Sequence, residues 1–395
     1  RLSAASMPFL QFPEPSGSHA VGQGDCLWRD SSGKKLVVRV FYPVDKAAAE
    51  GVSARAPWLP DTYGAKCISY AEAYAKFMWR PGINSALIGT VAFLPLMHNV
   101  QTRTYADVPL ADLPSRLRPL VYSHGIGGSR SCYSAVCVDL ASQGYFVVAP
   151  EHSDGSASLN VLPDKTVIEH KFVPNKAVII PREKRIPGGF TRSLVPHHQP
   201  KPMTQYEFRN AQMRQRIQEV RMVADCLAVL ANGTQNDEDV SLPPALMGKL
   251  QDNLDMGRLS CVGHSFGAST CVSVCAEDAR FKACIAHDAW LFPLDEAVAS
   301  GSLACPTLFL NADTFDVLWP EEGSKVLCSL LVRTAEQGRE SAAYAVNGTK
   351  HQNYSDFPLL APQITQTIGA AGSRDPKEAF DVIHECDTSF LEHAL

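Results

Sequence analysis

The stretch Arg258-Leu-Ser-Cys-Val-Gly-His-Ser-Phe-Gly267 decides the fold predicted for this chain. Residues 258–262 have the pattern of a short apolar strand, and residues 268–275 are small residues typical of a closely packed helix. Between them lies G-x-S-x-G, the sequence of a nucleophile elbow, in which a sharp strand-to-helix turn presents a serine. Glycines flank the serine because a side chain at either position would collide with neighbouring elements. The alternative interpretation is a glycine-rich turn without chemical function.

The 395-residue chain has the composition of an ordinary globular protein, with 45% apolar and 19% charged residues. Its net charge of -5 argues against nucleic-acid binding, which favours a basic surface. No run of 18 apolar residues occurs, so the sequence predicts no transmembrane span. None of the twelve cysteines belongs to the paired C-x-x-C pattern of zinc sites, so we expect no metal and no other cofactor. Their position in apolar segments favours a reducing, cytoplasmic compartment over secretion.

Alternating strand and helix patterns predict a doubly wound, mostly parallel sheet. Residues 118–123 read as a strand that runs into His124-Gly-Ile-Gly-Gly128, followed by a helix over 132–143 and a strand over 145–149. This βαβ order implies a parallel pair of strands. Further strands are predicted at 35–43, 283–287, 307–311 and 342–346, and further helices at 70–79, 206–230 and 320–334. Together with the elbow, the pattern predicts a single α/β-hydrolase domain over residues 1–395.

Three segments depart from this alternation. Residues 1–32 are rich in Pro, Gly and Ser, which predicts an irregular N-terminal arm. Residues 157–205 form a basic, proline-rich insertion, expected over the carboxyl edge of the sheet as a solvated loop rather than a phosphate-binding cap. Residues 83–97 are apolar, and we expect either a helix packed in the fold or a surface helix that contacts a lipid interface.

A serine hydroxyl becomes a nucleophile only with a histidine to take its proton and a carboxylate to fix that histidine. In this fold the chain order is serine, acid, histidine. His351 falls in a loop just after a predicted strand, where the base belongs, so we predict it as partner of Ser265. The acid stays open, because Asp288 and Asp313 each follow a predicted strand.

An oxyanion hole needs backbone N–H groups that point to where negative charge develops. One donor is expected from the residue after the nucleophile, Phe266. The other is expected from the glycine turn after the strand at 118–123, where flexible backbone allows the N–H of Ile126 to turn inward.

Several motifs surround these residues in a fixed order: Tyr122-Ser-His-Gly-Ile-Gly127, Glu151-His152, Gly155-Ser-Ala157, Arg209-Asn-Ala-Gln-Met-Arg-Gln-Arg216, Gly263-His-Ser-Phe-Gly267, Asp288-Ala-Trp-Leu-Phe-Pro293 and His351-Gln-Asn-Tyr-Ser-Asp-Phe357. Through them most of the chain resembles the platelet-activating factor acetylhydrolase family, the calcium-independent group VII phospholipases A2. One departure from the family pattern is His287, which stands where an apolar residue is more usual.

The resemblance implies Ser265 as nucleophile, Asp288 as acid and His351 as base, with oxyanion donors at Ile126 and Phe266. It implies a serine esterase that needs no metal and releases short or oxidised sn-2 acyl groups from phospholipids. It also favours residues 83–97 as a lipid-surface contact. Two other functions are kept as alternatives: a general carboxylesterase or lipase without phospholipid preference, and a non-catalytic lipid-binding protein.

Overall fold

A computed structural model describes residues 11–50, 55–79, 97, 99–173, 204–234, 239–318 and 322–395 of the chain. The strands in this part of the chain are β1 (Ala20–Arg29), β2 (Lys35–Val44), β3 (Arg55–Pro57), β4 (Gln101–Ala106), β5 (Arg118–Ser123), β6 (Tyr145–Pro150), β7 (Leu159–Val161), β8 (Val167–Glu169), β9 (Ser260–His264), β10 (Ala283–His287), β11 (Thr307–Ala312) and β12 (Ser341–Val346).

The helices lie between and after the strands, although none separates β6, β7 and β8. They are α1 (Lys46–Glu50), α2 (Tyr70–Trp79), α3 (Ser134–Ser142), α4 (Gln205–Ala231), α5 (Phe266–Glu277), α6 (Glu296–Ala299), α7 (Phe315–Leu318), α8 (Glu322–Glu336), α9 (Phe357–Leu360), α10 (Pro362–Thr367) and α11 (Pro376–Ala394). The helix predicted over 70–79 is confirmed at both ends, and the long helix predicted over 206–230 extends one residue further at each end.

Ten of the strands form one sheet, in the order β12-β11-β10-β9-β5-β6-β2-β1-β4-β3. The elbow strand β9 lies inside this sheet, parallel to both neighbours, β5 and β10. All pairs from β12 to β6 are parallel, whereas β2 joins β6 in antiparallel orientation. The predicted βαβ unit and the mostly parallel sheet are confirmed. Parallel strands end at one edge, so the loops that follow β5, β9, β10 and β11 meet there.

Both faces of the sheet are covered, as a parallel sheet requires. All five residues of β9 are buried, and successive side chains point to opposite faces. Cys261 faces the apolar layer formed with α4 and α5, and Val262 faces the layer that contains side chains of α3 and α11. Full burial of each Val or Leu in such a layer stabilises the fold by about 1.5–3 kcal/mol.

The prediction of an irregular arm over residues 1–32 is wrong for its second half. Strand β1 pairs with β2 over its whole length, from Ala20 opposite Val44 to Arg29 opposite Lys35. The strand was not predicted because the glycines of β1 are typical of turns. A Cβ at Gly22 would lie 2.4 Å from the ring of Tyr42, so the missing side chain makes room for a buried aromatic ring. The glycine here serves packing rather than a turn.

The prediction for residues 157–205 is also wrong in part. Residues 157–162 are buried, and β7 and β8 pair as an antiparallel hairpin, so this portion is not a solvated loop. Residues 174–203 of the insertion, and all of 83–97 except Met97, lie outside the described residues. Among the helices that are described, none is both long and apolar enough to cross a bilayer. The assignment of residues 1–395 to a single domain stays a prediction.

Candidate active site

Ser265 occupies a strained turn between β9 and α5. Its φ of 57° and ψ of -116° lie outside the ordinary regions for a residue with a side chain. Strained backbone of this kind is found where a site requires it. The two flanking glycines allow the turn to form. A Cβ at Gly263 would lie 2.4 Å from the Gly267 carbonyl carbon, and one at Gly267 would lie 1.9 Å from the Ser123 carbonyl oxygen.

The elbow is tied to the strand beside it. The Ser265 N–H donates to the His287 carbonyl at 2.9 Å, and the Ser265 carbonyl accepts from Trp290 N–H at 3.1 Å. The serine is 7% exposed, and it lines a cavity at the carboxyl edge of the sheet. Its backbone is therefore fixed by the loop after β10 while its side chain remains reachable.

His351 and Asp288 meet at the same edge. His351 opens a short 3₁₀ helix after β12, and its Nδ1 lies 2.5 Å from Asp288 Oδ2. Asp288 is completely buried directly after β10, with φ of 41°, and its Oδ1 accepts from Ala312 N–H at 2.9 Å. A carboxylate held in this way fixes the orientation of an imidazole and leaves the Nε2 side of the ring for a substrate or a nucleophile.

Asp313, the other candidate for the acid, contacts a different group. It is exposed, and its Oδ2 accepts from the backbone N–H of Gly348 at 3.2 Å. The geometry thus brings Asp288 rather than Asp313 to His351. Both aspartates follow adjacent strands of the sheet, β10 and β11, which is why their sequence positions did not separate them.

The glycine turn after β5 lies against the nucleophile. A Cβ at Gly125 would be 3.2 Å from the Cβ of Ser265, a tight contact, so glycine at position 125 favours the close approach of the turn to the serine. Gly125, Ile126 and Ser265 line the same cavity. Phe266 begins α5, where the first N–H groups of a helix have no intrahelical acceptor. Both predicted oxyanion donors therefore belong to backbone next to Ser265.

His264 and Tyr133 connect the turn to the base. The Tyr133 hydroxyl accepts from Gly125 N–H at 3.0 Å and lies 2.9 Å from His264 Nδ1. The ring of His264 lies 4.4 Å from that of His351, centroid to centroid. Burial, with the charge of His351 and His287, holds the pKa of His264 well below its usual value. His264 is therefore a neutral neighbour of His351, whereas His351 is 22% exposed and borders the cavity.

The cavity at Ser265 has a volume of about 400 Å³. Among the described residues its lining includes no Asp, Glu, Lys or Arg. The walls are mainly apolar and aromatic side chains, including Tyr74, Phe77, Met78, Phe357, Leu360 and Ile364. Such a lining favours an apolar chain over a charged group as the occupant.

One group of side chains in the described part of the chain has the spacing of a metal site. The sulphur atoms of Cys261, Cys275 and Cys284 lie within 4.8 Å of one another, completely inside the layer between β9, β10 and α5. Burial raises the pKa of Cys261 well above its usual value, whereas hydrogen bonds from Cys261 and Cys275 lower the pKa of Cys284 to about 5. None of the three lines the cavity, and the absence of a metal stays a prediction.

Comparison with known proteins places the chain in a family. Residues 4–395 match the family model described as platelet-activating factor acetylhydrolase, isoform II. The chain belongs to this family. It is therefore a carboxylic ester hydrolase of the platelet-activating factor acetylhydrolase type, and the function class predicted from the motifs is confirmed.

Relatives in the family match along the full chain. The platelet-activating factor acetylhydrolase of Canis lupus familiaris is 28% identical over 402 residues, which cover 100% of this chain and 79% of the relative. That of Gallus gallus is 26% identical over 388 residues, covering 98% of this chain and 84% of the relative. Among solved structures, the ferulic acid esterase of Streptomyces cinnamoneus has a TM-score of 0.61 at 19% identity and covers 98% of this chain and 93% of its own. The α/β-hydrolase fold is thus confirmed.

Several residues around the site were absent from the predicted set. Tyr133, His152 and Arg216 stand in or beside the motifs quoted above, but nothing in their spacing assigned them a role. Their contacts are long-range. His152 lies 67 positions from Glu219, and Arg216 lies 92 positions from His124, yet each pair is within hydrogen-bond distance.

Proposed function

We propose that the chain hydrolyses the sn-2 ester of phospholipids that carry short or oxidised acyl groups, platelet-activating factor among them, with Ser265 as nucleophile. The observation that carries this proposal is the 2.5 Å contact between His351 and Asp288 at the cavity bordered by Ser265. Membership of the family supports the substrate class, because relatives named for platelet-activating factor match over the full chain.

In the first half of the reaction the Ser265 oxygen attacks the ester carbonyl carbon while His351 takes the hydroxyl proton on Nε2. Asp288 stabilises the imidazolium that forms. The electron pair of the carbonyl moves to its oxygen, where the N–H groups of Ile126 and Phe266 stabilise the negative charge. Collapse of this intermediate breaks the bond to the glycerol oxygen, which takes the proton from His351 and leaves as lysophospholipid.

In the second half water attacks the acyl-enzyme. His351 takes a proton from the water, and the same two N–H groups stabilise the second tetrahedral intermediate. The Ser265 oxygen leaves with the proton returned by His351, and the free acid is released. No step in this sequence requires a metal, so we propose that a chelator leaves the rate unchanged.

The cavity supports an apolar acyl or alkyl chain in the bound substrate. Burial of each methylene contributes about 0.8 kcal/mol, and a lining without formal charge offers no compensation for a charged group placed there. We also propose residues 83–97 as the lipid-surface contact, with Met97 at the cavity wall as the described end of that segment.

Steady-state turnover of an acetylated ether phospholipid and of a soluble acetyl ester tests the substrate class, with and without EDTA. We expect the phospholipid to be preferred in kcat/KM by at least about tenfold, since remote contacts contribute binding energy that the small ester lacks. Equal values would indicate a general carboxylesterase. A fluorophosphonate probe should label Ser265 in the same preparation, and a protein that binds vesicles without labelling would be a non-catalytic lipid-binding protein.

A further inference from the structure

Arg216 is completely buried near the middle of α4, and no step of the proposed reaction uses it. Its guanidinium donates from Nη1 to the His124 carbonyl at 2.6 Å and from Nη2 to Ser156 Oγ at 2.6 Å. Its Nε lies 3.2 Å from Asp154 Oδ2, which supplies the opposite charge. A guanidinium without access to water is costly unless several groups hold it, so this arrangement requires an explanation.

The carbonyl that Arg216 holds belongs to the turn beside Ser265. The His124–Gly125 peptide is fixed at both ends: its oxygen accepts from Arg216, and its N–H donates to the Tyr133 hydroxyl at 3.0 Å. Because a peptide is planar, two such contacts determine the orientation of the whole unit. The turn therefore enters the cavity edge in one orientation.

The next peptide carries the predicted oxyanion donor. The Gly125 carbonyl accepts from His124 Nδ1 at 2.8 Å and from Gly128 N–H at 3.2 Å. In a trans peptide the N–H points opposite to the carbonyl, so the N–H of Ile126 is directed away from these donors. Gly127 N–H then donates to the Ser156 carbonyl at 2.8 Å, and the Ser156 side chain is itself bound to Arg216.

Arg216 also touches the residue that provides the second donor. Its guanidinium carbon lies 4.6 Å from the centre of the Phe266 ring, within the range of a cation–π contact. One side chain thus contacts the segment before Ile126, the segment after it through Ser156, and the side chain of Phe266.

We propose that Arg216 is a positioning residue of the oxyanion hole, which sets the relative placement of the Ile126 and Phe266 N–H groups by holding His124, Ser156 and Phe266 at once. The inference deepens the proposed function, because it rests on those two N–H groups as the oxyanion donors. It assigns a role to two motifs noted in the sequence, 209–216 and 155–157, which the reaction itself leaves without one. A lysine cannot replace this function fully, because only the planar guanidinium directs several N–H groups at fixed angles.

Substitution of Arg216 by Lys and by Met tests the proposal, with Arg221→Met as the matched control on the same helix. Arg221 is about half exposed, and it forms ion pairs with Glu277 and Asp278 at the protein surface. We expect kcat on the soluble acetyl ester to fall about 100-fold in R216M and about tenfold in R216K, as for loss or misplacement of one oxyanion donor, with KM within about threefold of the wild type. R221M should stay within about twofold in both constants.

A second readout separates positioning from general loss of structure. A trifluoromethyl ketone that forms a tetrahedral adduct with Ser265 should lose affinity by the same factor as kcat/KM, whereas a lysophospholipid competitor should bind as before. An equal loss of affinity for both ligands would overturn the proposal, because it would indicate a collapsed cavity. So would kcat within twofold of the wild type in a folded R216M or R216K protein.

Removal of Arg216 leaves Asp154 buried without its counter-charge, so the double variant R216M/D154N and thermal unfolding of every variant belong in the experiment. If all Arg216 variants unfold, Ser156→Ala decides, since it removes one contact of the guanidinium and retains the backbone bond to Gly127. We expect its kcat to fall three- to tenfold at unchanged KM, and wild-type kcat would overturn the proposal. Failure of the proposed function is seen separately, as a wild-type protein that neither hydrolyses esters nor labels at Ser265.

Discussion

Two groups of serine, histidine and carboxylate side chains can be compared within the described part of the chain. The outer group is Ser265, His351 and Asp288, of which the first two line the cavity, and the inner group is Ser123, His152 and Glu219, which are completely buried. In the inner group the Ser123 hydroxyl lies 2.9 Å from His152 Nε2, and His152 Nδ1 lies 2.8 Å from Glu219 Oε2. By hydrogen-bond geometry alone it resembles a catalytic triad as closely as the contact between His351 and Asp288 does. The order of contacts therefore does not identify an active site.

The two groups differ in their surroundings. All three residues of the inner group are completely buried, and none of them lines the cavity at Ser265. Burial, together with the charge of Arg216, holds the pKa of His152 well below its usual value, so this ring is a poor acceptor for a serine proton. Ser123 is an ordinary strand residue, whereas Ser265 has positive φ and glycine on both sides. The outer group thus differs from the inner group in its access to the cavity, in the strained backbone of its serine and in the backbone N–H groups nearby.

The largest effect expected from this comparison is the difference between Ser265→Ala and Ser123→Ala. The first removes the proposed nucleophile, and kcat on a soluble acetyl ester should fall by at least about 10⁴-fold. The second removes one buried hydrogen bond, so kcat should fall by less than about tenfold, with a loss of stability of about 1 kcal/mol. Turnover and fluorophosphonate labelling of both proteins check this, and labelling lost in S123A but kept in S265A would reverse the assignment.

A smaller but still large effect is expected for the acid. Asp288→Asn retains the size of the side chain but favours the wrong tautomer of His351, so kcat should fall about 10³- to 10⁴-fold. Asp313→Asn serves as the matched control after the adjacent strand, with kcat within about threefold of the wild type, because its carboxylate accepts from the Gly348 backbone and does not contact His351. Should D313N lose activity while D288N keeps it, Asp313 would be the acid and the contact at Asp288 structural.

The smallest effect concerns stability in acid. Because the pKa of His152 is lowered in the folded chain, the unfolded chain takes up a proton below about pH 6.5 that the folded chain refuses. The contribution of His152 is therefore present above pH 6.5 and lost as pH falls, by about 1.4 kcal/mol per pH unit. Urea unfolding of the wild type and His152→Gln should show a stability gap that narrows by this amount between pH 6 and 5.

His393→Gln is the control for that measurement, since His393 is exposed and the substitution is the same as at His152. A His152→Gln gap that is the same at pH 7 and pH 5 would mean that folding leaves the pKa of His152 unchanged, and a gap that widens toward pH 5 would indicate an ion pair with Glu219. Either outcome would remove the lowered pKa of His152 as a difference between the inner and outer groups.

The elbow could be read from sequence because its requirements are local. Gly263, Ser265 and Gly267 lie within five positions, and the apolar strand and small-residue helix on either side follow directly in the chain. The same holds for β5 and its glycine turn. Strand β1 was missed for a non-local reason: Gly22 faces the ring of Tyr42, and a glycine used for packing looks the same in sequence as a glycine in a turn.

Arg216 shows a second limit. It lies three residues after Met213 and four before Val220, on the inward face of α4, where the helical period predicts an apolar side chain rather than an arginine. In the structure it is completely buried, because carbonyl and hydroxyl groups of two distant loops and the carboxylate of Asp154 replace its water. Such compensation depends on chain segments more than 50 positions away, which no helical period encodes.

Sequence alone determined the fold class and predicted Ser265 as nucleophile and His351 as its partner, because each follows from short-range pattern and chain order. Local pattern left Asp288 and Asp313 open, because β10 and β11 are neighbours and both deliver a carboxylate to the same edge; the family resemblance favoured Asp288, and the tertiary structure places that residue against His351. The tertiary structure also decided which of the two serine–histidine–carboxylate groups faces a cavity. Hydrogen bonds can orient histidine and carboxylate side chains anywhere in a fold. The packing of distant segments determines whether space and backbone N–H groups lie beside them.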